Sequence, residues 1–156
     1  MKKLFKTIDL FAGIGGIRIG FKNAGFETVF ANDFDKYCKV TYDLNSEKVK
    51  LTVEDIRKIK SSSLPDFDFL LAGFPCQAFS VAGYRKGFND ERGNLFFEIA
   101  RILDERKPEG FLLENVKNLA GHDYGNTLRV ILETLDKLGY HFKYKILNSM
   151  EYGNVP

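Results

Sequence analysis

Residues 73–80 read Gly-Phe-Pro-Cys-Gln-Ala-Phe-Ser, and they follow an apolar run, residues 67–72, that predicts a buried strand. Pro75 has no backbone N–H and a fixed φ, so a central strand cannot continue through it. The pattern therefore places the thiol of Cys76 at the end of a strand, where open α/β sheets bind their ligands. Taken by themselves, these eight residues are equally compatible with a buried structural cysteine.

Strand-like and helix-like segments alternate on both sides of this stretch, which indicates an α/β fold: a mostly parallel sheet with helices on both faces. We predict strands at residues 5–11, 27–31, 51–53, 67–72, 110–113 and 140–147. Helices are predicted at residues 17–23, 35–44, 95–105 and 127–138. In the second of these helices, one face carries Tyr37, Val40, Thr41 and Leu44. Residues 80–93 contain three glycines and no clear period, so they predict a long loop of the kind that often forms a lid.

The bulk properties restrict the class of protein. A chain of 156 residues is long enough for one domain with a real core and too short for two. A net charge of +2 neither favours nor excludes nucleic acid as a partner. Two cysteines far apart and two histidines make a metal site unexpected. Because no segment resembles a leader or reaches the length of a membrane span, we expect a cytoplasmic protein without a membrane partner.

A glycine turn lies between the first predicted strand and the first predicted helix, within residues 9–16, Asp-Leu-Phe-Ala-Gly-Ile-Gly-Gly. Glycines at this place let a ligand approach the backbone closely, although a generic turn explains them as well. Asp33 follows the second strand, where such folds place a carboxylate on ribose hydroxyls, and Asp55 follows the third. Either carboxylate could instead cap the helix that comes after it.

Glu114 and Asn115 follow the predicted fifth strand, so we expect them beside Cys76 at the ends of adjacent strands. A thiol and a carboxyl in that arrangement suit a nucleophile and a proton donor that act on one small substrate. Because Glu114 comes directly after Phe-Leu-Leu, we expect it to be partly buried and suited to be protonated. An exposed charge at a strand end is the alternative.

Four motifs follow one another along the chain: residues 9–16, Gly-Phe-Pro-Cys-Gln at 73–77 with Phe79-Ser80, Arg-Gly-Asn-Leu-Phe at 92–96, and Leu-Glu-Asn-Val at 113–116. Together they resemble the cytosine-5 DNA methyltransferases, and the bacterial modification methylases in particular, over essentially the whole chain. The resemblance implies a Rossmann-like fold that depends on S-adenosylmethionine. It also implies that residues 1–156 form a catalytic and cofactor-binding domain that is incomplete at its C-terminus.

The resemblance assigns a set of residues to S-adenosylmethionine. These are Phe11, Ala12, Gly13, Gly15 and Gly16 in the glycine turn, Asp33 on the ribose, Phe34 on the purine, Asp55 and Ile56 on the adenine edge, and Pro75 and Leu95 in the pocket wall. Asp33 and Phe34 stand where the family commonly has Glu and Trp. A shorter carboxylate and a smaller ring bear on the affinity for the cofactor rather than on its identity.

The resemblance also implies a reaction on double-stranded DNA. Cys76 is expected to attack carbon 6 of a flipped cytosine, Glu114 to protonate ring nitrogen 3, and Asn115 to orient that carboxyl and the cysteine loop. The residues expected to contact phosphates or the flipped nucleotide are Ser80, Arg85, Lys86 and Arg92, although Arg85 and Lys86 fit a solvated loop equally well. A tRNA-directed relative with the same catalytic set stays open.

The family continues beyond this point with a Gln-x-Arg-x-Arg element, a target recognition region and a returning segment. The resemblance therefore implies that this chain needs downstream residues or a complementary chain. In the family's sheet order a seventh strand lies between the fifth and the sixth, and without it both neighbours would have open edges. A catalytically silent, methyltransferase-like binding or regulatory module is the other possibility, and the presence of both Cys76 and Glu114 argues against it.

Overall fold

The computed structural model describes residues 4–75 and 95–153, and its centre is a parallel sheet of five strands. The strands are β1 Lys6–Leu10, β2 Glu27–Asp33, β3 Thr52–Val53, β4 Phe69–Gly73 and β5 Gly110–Glu114. Hydrogen bonding orders them β3-β2-β1-β4-β5, and every neighbouring pair is parallel. The strand order reverses between β1 and β4, and ligands of such sheets bind at the carboxyl ends of the strands at that point.

Among the described residues there are four α-helices: α1 Gly16–Asn23, α2 Cys38–Leu44, α3 Leu95–Arg106 and α4 Asn126–Lys137, the last of which follows β5. Short 3-10 turns occupy Ile56–Lys58, Ser61–Ser63, Lys117–Ala120, His122–Gly125 and Ser149–Tyr152. None of the helices in the described part of the chain is long and apolar enough to cross a membrane.

The helices cover both faces of the sheet. Side chains alternate along β1, so its residues contact the helices on either face. Ile8 and Leu10 point to one face, where they pack in the main core with residues of α3 and α4 such as Phe96 and Ile131. Thr7 and Asp9 point to the opposite face, which α1 and α2 cover. The predicted α/β fold with helices on both faces is confirmed.

The second helix begins at Cys38, three residues later than residues 35–44 predict. The side chain of Asp33 accepts the Asp35 amide at 2.8 Å, and the side chain of Asp35 accepts the Tyr37 amide at 2.8 Å. Aspartate side chains that bond the backbone two residues ahead compete with a helical turn, so they delay the start of α2.

The side chains predicted to share one face of α2 do so, but that face points to solvent. Tyr37, Val40 and Leu44 are 80%, 69% and 80% exposed. The buried residue is Tyr42, which packs with Ala12, Ala31 and Leu51 under the sheet. The helical period is therefore confirmed, and the sheet covers the side of α2 that carries Tyr42.

The strand predicted at residues 140–147 is wrong, since these residues have no secondary structure. Tyr140 is held by its hydroxyl, which donates to the Pro108 carbonyl at 3.1 Å, and by its ring against Phe111. Farther along, Tyr144, Ile146 and Leu147 are exposed. An alternating sequence becomes a strand only when its backbone has a ladder partner, and residues 140–147 pair with none of the described strands.

Candidate cofactor and catalytic site

The glycine turn lies at the carboxyl end of β1, next to the point where the strand order reverses. The Ala12 amide donates to the Asn32 carbonyl of β2 at 3.0 Å, and the Gly15 amide donates to the Ala12 carbonyl at 2.8 Å. Phe11, Gly13 and Gly15 have φ angles of 54°, 53° and 94°. Glycine tolerates this left-handed region at no steric cost, which explains two of the three glycines of the motif.

The turn is open on one side and closed on the other. A Cβ built on Gly13 or Gly16 would meet no described atom within 4 Å, whereas a Cβ on Gly15 would lie 3.1 Å from the Tyr42 ring. A ligand can therefore approach the backbone at Gly13 and Gly16, while Gly15 rests against the protein interior.

Asp33 ties this turn to the loop after β2. One oxygen of its carboxylate accepts the Gly13 amide at 2.8 Å, and the other accepts the Asp35 amide. A carboxylate offers about four lone-pair positions, so both oxygens keep room for a ligand hydroxyl. The next residue, Phe34, is 75% exposed and offers a free ring at the same edge of the sheet.

Asp55 caps the 3-10 turn at Ile56–Lys58, which is the alternative role that its position in the sequence left open. Its carboxylate accepts the Arg57 amide at 3.0 Å and pairs with the Arg57 guanidinium, which lowers the pKa of Asp55. The side chain of Ile56 is buried in the main core. A contact between Ile56 and a cofactor would therefore use its backbone.

Glu114 and the segment that leads to Cys76 meet at the ends of neighbouring strands. Gly73 of β4 is in register with Glu114 of β5, and a Cβ on Gly73 would lie 3.3 Å from a Glu114 carboxylate oxygen. The side-chain amide of Asn115 donates to the Phe74 carbonyl at 2.7 Å. Asn115 thereby fixes the backbone two residues before Cys76 relative to Glu114.

The partial burial expected for Glu114 is wrong, because the residue is exposed. Its strand has β4 on one side and no described strand on the other. A residue at the end of an edge strand is shielded on one side only, so three apolar residues before it do not suffice to bury it.

The remaining candidate residues divide into two groups. Pro75 is exposed at the end of β4, and Leu95 at the start of α3 is half-buried against the main core. Five candidates lie outside the described residues, namely Cys76, Ser80, Arg85, Lys86 and Arg92.

The family model of the C-5 cytosine-specific DNA methylases matches residues 5–156. This chain belongs to that family. The chain is 56% identical over 155 residues to the type II methyltransferase M.Bsp6I of Bacillus sp. strain RFL6, a match that covers 98% of this chain and 49% of that protein. It is 53% identical to M.NgoBI of Neisseria gonorrhoeae, covering 96% of this chain and 47% of that protein. The chain thus spans about half the length of these relatives.

Solved structures are similar to this cytosine-5 methylase chain as well. A DNMT2 of Spodoptera frugiperda has a TM-score of 0.65 and 25% identity, covering 86% of this chain and 41% of the other. The methyltransferase EhMeth of Entamoeba histolytica has a TM-score of 0.72 at 20% identity, covering 97% of this chain and 49% of the other. The Rossmann-like methyltransferase fold implied by the four motifs is confirmed.

Sequence reasoning missed three buried polar residues beneath the glycine turn of this methylase chain: Asp9, Arg18 and Tyr42. Asp9 is the first residue of the motif that contains the turn, and the motif by itself suggests no role for it. Arg18 lies in α1, and Tyr42 lies in α2 between exposed and half-buried neighbours. The available signal was weak, since a polar residue in a short amphipathic helix ordinarily faces solvent.

Proposed function

We propose that the protein methylates carbon 5 of cytosine in double-stranded DNA, with S-adenosylmethionine as methyl donor and a covalent adduct between Cys76 and a flipped base. Membership of the cytosine-5 methylase family and the relatives named type II methyltransferases support this proposal. The observation that carries it is the register of Gly73 with Glu114. That register puts the expected acid at the strand end from which the chain continues to the expected nucleophile.

The residues around the glycine turn fit the expected cofactor. The open backbone at Gly13 and Gly16 admits a ligand, Asp33 keeps lone pairs for ribose hydroxyls, and the exposed ring of Phe34 suits a purine. When bound, S-adenosylmethionine would supply an electrophilic methyl group on its sulfonium. Phe11 is proposed to lie against the adenine, and Pro75 and Leu95 are proposed to line the pocket wall. Asp55, whose carboxylate is engaged by Arg57, would contribute through a lone pair that this ion pair leaves free.

The chain's own residues would activate the cytosine, whose carbon 5 is a poor nucleophile. The Cys76 thiolate would form a bond to carbon 6, and the displaced ring electrons would move toward carbon 5 and ring nitrogen 3. Glu114 would donate a proton or a hydrogen bond to nitrogen 3 and so offset the charge that develops there. Once carbon 5 carries the methyl group, its proton would pass to a base, the double bond between carbons 5 and 6 would re-form, and the Cys76 thiolate would be expelled.

Base flipping follows from the same chemistry, because carbon 6 and nitrogen 3 are unreachable inside a duplex. An exposed Glu114 is accessible to such a base, which would itself shield the carboxyl from water. Ser80, Arg85, Lys86 and Arg92 are proposed to contact the phosphates or the flipped nucleotide.

Activity is proposed to require the region that the relatives carry beyond the matched half, in the same chain or in a complementary one. The chain spans 49% of M.Bsp6I and 47% of M.NgoBI. The free side of β5 among the described residues is consistent with a further strand there. Such a strand would also shield the end of β5, where Glu114 lies.

The test is covalent trapping on DNA that contains 5-fluorocytosine, because fluorine cannot leave as the proton does. The experiment uses the active protein, which is this chain together with the further region that activity is proposed to require. The active protein and its Cys38→Ala variant should form an adduct that survives denaturing electrophoresis, whereas its Cys76→Ala variant should form none. Cys38 is the matched control, since it is the first residue of α2 and its thiol contacts Asp35 rather than the catalytic strand ends. Equal trapping by Cys76→Ala and the parent would show that another group attacks the base.

A further inference from the structure

A cluster of three buried polar side chains joins three elements beneath the glycine turn. Asp9 comes from β1, Arg18 from α1 and Tyr42 from α2, and they are 0%, 5% and 0% exposed. The Arg18 guanidinium lies over the Tyr42 ring, 5.2 Å from its centroid, and donates to the Asn45 carbonyl at the end of α2 at 2.7 Å. Arg18 therefore connects α1 to the far end of α2.

Several polar atoms of this cluster are buried without a hydrogen-bond partner in the part of the chain that the structure describes. Both carboxylate oxygens of Asp9, Nε of Arg18 and the hydroxyl of Tyr42 have no hydrogen-bond partner among the described residues. A buried polar group without a partner costs roughly 1–3 kcal/mol, and more when it is charged. Buried ionic groups are therefore weak evidence for stability, and a role in fixing a local arrangement is a hypothesis that has to be argued from contacts.

The glycine turn rests directly on this cluster. A Cβ on Gly15 would lie 3.1 Å from Cε2 of Tyr42 and 3.4 Å from Nε of Arg18. Gly15 has a φ of 94° and immediately precedes α1, so its position sets where that helix begins. Its amide closes the turn onto the Ala12 carbonyl. Any shift of Tyr42 or Arg18 would therefore be transmitted to the turn through direct contact.

We propose that Arg18 and the ring of Tyr42 are positioning residues that hold the glycine turn in its ligand-binding shape. The inference rests on the proposed cofactor site, because the open side of the turn at Gly13 and Gly16 is where that cofactor would lie. The ring of Tyr42 carries this role rather than its hydroxyl, which has no partner among the described residues.

The test compares the turn and the cofactor affinity in matched variants of the active protein. Tyr42→Leu and Arg18→Met remove the support, Tyr42→Phe keeps the ring, and Tyr140→Leu removes a tyrosine ring that packs on Phe111 away from the turn. Hydrogen exchange in the cofactor-free protein reports the Gly13 and Gly15 amides, which donate to Asp33 and Ala12. Calorimetric titration reports the binding of S-adenosylmethionine.

Tyr42→Leu and Arg18→Met should speed exchange at both amides and weaken S-adenosylmethionine binding about ten- to a hundred-fold, as misplaced binding groups do. Tyr42→Phe and Tyr140→Leu should match the parent in both measurements, even though Tyr140→Leu lowers Tm. The comparison is made between variants of matched Tm. If the exchange rates of the Gly13 and Gly15 amides rise no more in Tyr42→Leu and Arg18→Met than in Tyr140→Leu, the inference is overturned. A parent that does not bind S-adenosylmethionine would contradict the proposed function instead, while the exchange comparison still decides the role of the cluster.

Discussion

Single residues at the strand ends have sharply different surroundings in this protein. Asp33 bonds two backbone amides, Asp55 is paired with Arg57, Asp9 is buried without a hydrogen-bond partner among the described residues, and Glu114 is exposed. Four carboxyl groups at one edge of the sheet are thus suited to different roles. Asp33 and Asp55 shape the backbone, and Glu114 is accessible to a substrate.

Glu114→Gln should slow methyl transfer far more than it weakens S-adenosylmethionine binding. The amide keeps the size of the carboxyl but cannot supply a proton to ring nitrogen 3, and the loss of one positioned acid costs about 10²–10⁴ in rate. Single-turnover methylation and calorimetric titration of the same preparation measure the two quantities. Equal losses in rate and affinity would place Glu114 in the cofactor pocket instead.

The stability of the Asp9→Asn variant relative to that of the parent should increase as the pH rises. Burial raises the pKa of Asp9 from 3.8 to about 7, the nearby Arg18 lowers it and Asp33 raises it. Below pH 3.8 the carboxyl is protonated in both the folded and the unfolded state, so it adds nothing to the pH dependence. Between 3.8 and about 7 the folded state holds the proton more tightly, so the parent loses stability as the pH rises through that window.

Thermal melts of the parent and Asp9→Asn at about pH 5 and about pH 8 check this linkage. The difference in Tm, variant minus parent, should be larger at the higher pH, because the asparagine has no proton to lose. Tyr42 lies against the same carboxyl and carries a raised pKa for the same reason, burial, so it stays neutral over this range. A difference in Tm that does not change with pH would mean that Asp9 is not the group that titrates.

Helix α1 has one buried face and one exposed face. Helix α1 presents Arg18 to the interior and Gly16 and Gly20 to open space, since no described atom lies within 4 Å of a Cβ on either glycine. Neither of these two glycines has a positive φ. Alanine at either position is therefore compatible with the helical backbone. It favours the helix over glycine by about 1 kcal/mol.

Gly16→Ala should leave Tm unchanged or raise it and yet weaken S-adenosylmethionine binding, because its Cβ would project into the open side of the glycine turn. Gly20→Ala is the matched control one turn farther along the helix, and it should leave both stability and affinity at or above the values of the parent. Thermal melts and calorimetric titration measure the two effects. Unchanged affinity in Gly16→Ala would mean that the ligand does not approach the turn at this residue.

Across the whole molecule, β5 has no partner strand on its outer side among the described residues, and several apolar side chains of the segment after α4 are exposed. The outer side of β5 pairs with no described strand, and residues 140–152 expose Tyr144, Ile146, Leu147, Met150 and Tyr152. Unpaired strand edges and clustered exposed apolar side chains favour aggregation.

Residues 1–156 expressed alone should therefore not methylate DNA, and they should aggregate or melt without cooperativity. The chain spans about half of M.Bsp6I, and the outer side of β5 pairs with no strand among the described residues. Incorporation of tritiated methyl groups into mixed-sequence DNA, with melting followed by circular dichroism, tests both expectations. A cooperative melt together with clear incorporation would show that these residues are self-sufficient.

Local sequence patterns were enough to predict the α/β class, most of the strands and helices, the glycine turn and the family. Each of these depends on local information: apolar runs, helical periods, the proline after β4, and motifs whose residues are close together along the chain. Asp33, Glu114 and Asn115 could be placed at strand ends for the same reason, because the carboxyl ends of parallel strands lie at one edge of the sheet.

Which neighbours these elements contact depends on how the whole chain packs, and local patterns do not predict it. Residues 140–147 alternate as a strand does but have no ladder partner among the described strands, and the apolar stripe of α2 faces solvent because Tyr42 occupies the buried side. Glu114 is exposed because its strand lies at an edge. The contact of Gly15 with Tyr42 and Arg18 joins residues that no local pattern relates. Periodicity tells which side chains share a face, whereas burial depends on what packs against that face.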